Sequence, residues 1–201
     1  MKRIYLLVFI ALSLFFISLA LIIFFSPYGK GDFYDNRFLK SSVTISVSKD
    51  SVYNVLGNSE NARKWSVFVH HINTVNSSQI MDGTVGSIRR CYQNKDESGL
   101  RWDEEVIINK KNSSRRLSIF NMIHFDMSAD YLMTDQIYED IEDGCKLTFT
   151  LFFVVSKDIP FMDEIKMYFA AYAIEDIFQK NLINIKHLVE EGVYYQRVYS
   201  F

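Results

Sequence analysis

The chain has 201 residues, 49% of them apolar, including 17 Phe and 12 Tyr. That length suits one domain with terminal extensions, and that much apolar material excludes a disordered chain. The net charge of −2, from 22 Lys and Arg against 24 Asp and Glu, argues against a nucleic-acid partner, because neutralising phosphates needs a basic footprint.

The chain opens with MKRIYLLVFIALSLFFISLALIIFFSPYGKG. No residue from Ile4 to Phe25 is charged, and at about 1.5 Å per residue a helix of that length crosses a hydrocarbon core of ~30 Å. A cleaved signal peptide is the rival reading, with Ser18 to Ala20 as a small-residue site. The apolar run continues through Leu21 to Phe25, however, and outlasts an h-region of roughly 7–15 residues. Residues 1–25 are therefore expected to form a transmembrane anchor, with membrane contact through 4–25, in a single-pass protein of a bacterial inner membrane. Lys2 and Arg3 nearly balance Lys30, Arg37 and Lys40 across the span. The very short N-terminal tail tips the expected orientation toward an extracytoplasmic domain. Residues 26–39 read as a juxtamembrane linker whose tyrosines and phenylalanines sit at headgroup level, and residues 40–201 as the folded domain.

In that domain LKSSVTISVS alternates as a half-buried strand, with Val43, Ile45 and Val47 on one face. Ser48 is an N-cap for a short helix through Val52, Val55 and Leu56 that stops at Gly57. A second short helix starts at Ser59 and carries Trp65 and Phe68 as apolar knobs. The next stretch reads as strands joined by short turns: INTVNSSQI, VGSIRRCYQN, LRWDEEVIIN, RRLSIFNMI, YLMTDQIYEDI and CKLTFTLFFVVS. Such connections make an antiparallel meander. HFDMSAD, the longer link before YLMTDQIYEDI, is a candidate lid. From Phe161 to Glu191 there is neither Gly nor Pro, with Asp158 as a candidate cap, Pro160 at the start and Gly192 at the end. Its apolar row from Ile165 to Val189 predicts one helix about 45 Å long. These elements form an α+β fold: a curved, seven-stranded antiparallel sheet whose apolar face is covered by the C-terminal helix. The space between sheet and helix suits an apolar ligand.

VTISVSKDSVYNVLGN, ARKWSVFVHHINTVN, GTVGSIRR with RWDEEVIINKKNSSRRLSIF, and IEDIFQKNLINIKHLVEEG follow the element order of the START-like (SRPBCC) superfamily. They resemble in particular its polyketide cyclase/dehydrase and lipid transport branch. The resemblance spans about residues 40 to 192 and leaves the membrane span outside it. It implies the helix-grip fold and a cavity for a hydrophobic small molecule or lipid. The same fold hosts binders, cyclases, hydrolases and co-chaperones.

Within RWDEEVIINK, Trp102, Glu104, Val106 and Ile108 are expected on one face, which sets one carboxylate in an apolar row. Glu104 has three readings: a structural charge, paired with Arg89 or Arg101 or reaching water at a strand end; a ligand anchor; or a general acid or base, the role an apolar enclosure prepares an acid for. Of Arg89 and Arg90, one must face inward, where it pairs with a strand neighbour or clamps an anionic head group. Trp65 and Trp102 are expected at the core or the cavity rim. Tyr131, Tyr138, Tyr168 and Tyr172 are candidate hydroxyls for the cavity, with core packing as the plainer role. Cys91 and Cys145 read as buried thiols, with a disulfide as the alternative. Neither the cysteines nor His70, His71, His124 and His187 have metal-ligand spacing, so no metal and no cofactor is expected. No G-x-S-x-G elbow and no phosphate loop occurs. Three functions compete: a membrane-anchored binder of an apolar molecule, a cyclase or hydrolase using Glu104, and a protein-interaction module whose cavity is filled by its own side chains.

Overall fold

The computed structural model describes residues 2–29, 36–125, 127, 129–155 and 159–192. Asp158, Phe33, Tyr34, two positions of the HFDMSAD link (Asp126 and Ser128) and the segment 193–201 lie outside the described residues. Helix α1 (Lys2–Phe24) is long and apolar enough to cross a membrane, and none of its apolar window is buried against the protein.

The domain runs β1 (Arg37–Ile45), α2 (Lys49–Gly57), a 3-10 turn (Ser59–Asn61), α3 (Ala62–Trp65) and β2 (His71–Thr74). It continues with β3 (Ile88–Tyr92), β4 (Arg101–Lys110), β5 (Ser114–Ile123), β6 (Tyr131–Ile141), β7 (Gly144–Val154) and α4 (Phe161–Glu191). All seven strands join one sheet in the order β1-β7-β6-β5-β4-β3-β2, and every pairing is antiparallel. The sheet curves around the 31-residue α4, the helix-grip arrangement.

Local chemistry explains the boundaries. The Ser48 hydroxyl accepts from the Ser51 amide and caps α2. Pro160 starts α4, with Asp163 and Glu164 in its first turn, where the helix dipole favours acids. Gly192 ends it in the left-handed conformation, φ 67°. At the β6–β7 turn a side chain on Gly144 would lie 2.1 Å from the Ile45 carbonyl oxygen, so no other residue fits.

The structure departs from the sequence expectation in four places. β2 stops at Thr74, because the Asn76 side chain takes over the pairing: its Oδ1 accepts from the Ile88 amide and its Nδ2 donates to Gly86 O. Ile108 does not share the inner face with Trp102 and Glu104. A bulge between Val106 and Ile108 shifts the alternation, leaving Ile108 36% exposed and turning Asn109 toward Tyr53. β1 begins at Arg37 and takes in the last three residues of the expected linker. Tyr28 does not offer its ring outward, as a headgroup-level side chain would, but packs inside the domain. It is 2% exposed, edge-on to Phe153 and Tyr168, with Arg37 over its ring. Burial pushes its hydroxyl pKa up to about 12. Gly29 extends the sheet by a single bridge to Phe38. Two apolar clusters hold the fold, one around Leu39, Trp102, Phe153 and Met167, the other around Ile45, Leu147, Leu182 and Ile185.

Candidate functional site

Between the inner face of the sheet and α4 lies a cavity of about 390 Å³. β4 to β7 supply Trp102, Leu117, Ile119, Phe149 and Leu151, and α4 supplies Ala170, Ala173, Ile174, Ile177 and Phe178. The α4 wall includes two small side chains, Ala170 and Ala173. Phe68 stacks on Trp102 at 5.4 Å between ring centroids, and Phe125 meets its edge at 5.6 Å. Phe125, Met127 and His124 place the β5–β6 connection at the cavity wall.

At one side of the cavity Glu104 and Arg89 stand opposite each other on β4 and β3. Arg89 Nε donates to Glu104 Oε2 at 2.9 Å, and Trp102 Nε1 donates to Oε1 at 2.9 Å. Arg89 Nη1 reaches Ser59 Oγ at 3.2 Å, and that hydroxyl donates to Asp82 Oδ1 at 2.8 Å. The chain Trp102–Glu104–Arg89–Ser59–Asp82 is a self-satisfied network in a nearly dry setting, with the two charged side chains 9% and 12% exposed. An Arg–carboxylate pair so enclosed compensates its own desolvation and leaves neither group isolated. Cys91, buried next to it, is a free thiol whose pKa is pushed up by burial. Cys145 is free and buried as well, so no disulfide links the two.

On the wall formed by β6 the arrangement is different. Thr134 and Gln136 face the cavity, 8% and 4% exposed. Gln136 Oε1 accepts from the Tyr138 hydroxyl at 2.9 Å and from Arg115 Nη1 at 3.4 Å. Burial pushes the Tyr138 pKa upward, so that hydroxyl stays a donor. Among the described residues, neither the amide nitrogen of Gln136 nor the hydroxyl of Thr134 has a protein hydrogen-bond partner. On the opposite wall Asn181 Oδ1 accepts from the Val67 amide at 2.8 Å, tying α4 to the exit of α3.

Four of the sequence candidates come together here: Trp65, Arg89, Trp102 and Glu104 all line the cavity. Tyr131, Tyr138, Tyr168 and Tyr172 do not. Tyr131 starts β6 and is 37% exposed. Tyr168 packs on Tyr28. The Tyr172 hydroxyl donates to the Ile22 carbonyl at 2.9 Å, capping a carbonyl in the last turn of α1. Thr134, Gln136 and Asn181 carried a signal that selection by residue type overlooked. Leu132, Thr134, Gln136 and Tyr138 alternate on one strand face, and Asn181 interrupts an apolar helix stripe. Among the described residues no group of three metal-ligating side chains forms.

No family model and no curated protein sequence matches the chain. Solved structures do match in fold. Ara h 8.0201 aligns with a TM-score of 0.58 at 15% identity, covering 76% of this chain and 96% of that one. A Mesorhizobium loti protein aligns at 0.56 and 16%, covering 77% and 97%. A point mutant of a Thalictrum norcoclaurine synthase, solved with a transition-state analogue, aligns at 0.57 and 14%, covering 77% and 94%.

Proposed function

We propose that this chain is a membrane-anchored protein of the START-like type that binds a hydrophobic small molecule or lipid in the cavity between sheet and α4. The observation that carries this reading is the cavity: about 390 Å³, walled by aromatic and aliphatic side chains and holding a few fixed polar groups. That size and lining fall in the range of small-molecule sites. A cavity of about 390 Å³ argues against an interior filled by the protein's own side chains. A catalytic role for Glu104 is not favoured, because Arg89 and Trp102 occupy both of its oxygens. Anchoring rests on α1, an apolar helix whose window makes no buried contact with the protein.

The test uses the full chain purified in mild detergent and its Ala170→Trp variant, in which the indole occupies the cavity. Denaturing extraction and mass spectrometry are expected to release an apolar compound from the wild type and none from the variant, with equal circular dichroism. Equal adducts from both, or no adduct together with no uptake of the neutral dye 1-aminoanthracene by the wild type, would sink the proposal.

A further inference from the structure

Resting on that reading of the cavity, we infer that the ligand is a single-chain amphiphile with an anionic head, and that the head is received at the Gln136–Thr134 wall in front of Arg115. The argument starts from charge. Arg115 is 2% exposed on the inner face of β5. A guanidinium stays charged at any ordinary pH and is expensive to bury without an anion. Arg89, the other buried arginine on this face, has Glu104. Arg115 takes part in no ion pair among the described residues. Its one hydrogen bond is the long contact to Gln136, its Nε is buried without a partner, and its remaining support is the ring of Tyr53, 4.8 Å from the guanidinium carbon.

Arg115 does not touch the cavity, but Gln136 stands directly opposite it in the β5–β6 register and forms the wall in front of it. That wall presents the uncommitted Gln136 amide donor and the Thr134 hydroxyl. Both can donate to an oxyanion, and the positive charge behind them has nothing else to neutralise it. Leu117, Phe149 and Leu151, which also line the cavity, suit an alkyl chain. Arg89 cannot take this part, because Glu104 and Ser59 already hold its guanidinium.

The experiment compares dodecanol, dodecanoate and dodecyl phosphate, which share one chain, as competitors of 1-aminoanthracene on the full chain in detergent. Each reading is referenced to Ala170→Trp as the blank. The expected result is that one or both anions compete at least tenfold better than the alcohol, and which of them does so separates a carboxylate from a phosphate head. Arg115→Gln is expected to bring anion and alcohol together, and Arg115→Lys to keep the preference. Equal competition by all three on the wild type overturns this inference and leaves the cavity reading standing. Failure of all three, with no dye bound, overturns both. The wild-type ratio needs no variant, so a poorly folded Arg115→Gln does not blunt the test.

Discussion

Twice the chain sets two arginines side by side in a strand, Arg89-Arg90 and Arg115-Arg116, and strand alternation sends one of each pair to either face of the sheet. On the outer face the two are treated alike. Arg90 forks onto Asp103 at 2.6 and 2.9 Å, and Arg116 forks onto both oxygens of Asp135. Both guanidinium groups keep contact with water, with side chains 39% and 34% exposed. On the inner face they part company. Arg89 is matched by Glu104, and Arg115 has no charged partner among the described residues. Outer-face pairs tie neighbouring strands together at modest energetic consequence. Inner-face charges carry a desolvation cost that only a partner offsets. An unmatched charge on that face is therefore more informative than a matched pair on the other.

The sharpest way to break the contrast is to orphan Arg89. Glu104→Ala is expected to cost about 3–5 kcal/mol of stability, read from urea unfolding of the full chain in detergent, because it leaves a second uncompensated guanidinium inside. The double change Arg89→Met with Glu104→Leu is expected to recover most of that loss. If the double variant also keeps its dye binding, the pair is structural; lost binding with recovered stability would make it a ligand contact.

The outer pair should respond less and show a pH signature. Arg90 holds the Asp103 carboxyl below the usual carboxylate range, with Asn121 adding a hydrogen bond at 2.9 Å. A carboxyl whose folded pKa is depressed contributes stability above its unfolded value of about 3.9, and loses it as pH falls through the folded value. Asp103→Asn is thus expected to cost about 1–2 kcal/mol at neutral pH. The gap from wild type should shrink in unfolding curves recorded below about pH 4. A gap that holds constant into acid would assign the loss to packing. The smallest effect sets the baseline: Lys180→Ala, which breaks an exposed i,i+4 pair with Asp176, should stay within about 0.5 kcal/mol.

The layered architecture was legible because its elements obey simple periods. Alternation marked β4 to β7, Ser48 and Gly192 marked helix ends, and the long run without Gly or Pro marked α4. What escaped has specific causes. The bulge at Ile107 is a change of register that leaves composition untouched, so Ile108 was assigned to the wrong face. β2 is short because one side chain, Asn76, substitutes for strand pairing. In the site, the two tryptophans and the Arg89–Glu104 pair could be read from one strand and its neighbour. The Thr134–Gln136 wall depends on which face of β6 turns inward. Residue type alone makes the tyrosines candidates, yet Tyr168 and Tyr172 spend their rings or hydroxyls on the junction with α1.

That junction has a mechanical consequence. Only three residues separate Phe24, the last of α1, from Tyr28, so the end of α1 and a ring in the domain core are at most about 14 Å apart along the chain. The Ser26 hydroxyl donating to the Tyr168 carbonyl at 2.9 Å shortens the play further. A slack tether lets a domain sweep a volume and hand cargo to a distant acceptor. With α1 in a bilayer this domain has no such reach: it is a moored berth, and whatever fills its hold must come alongside.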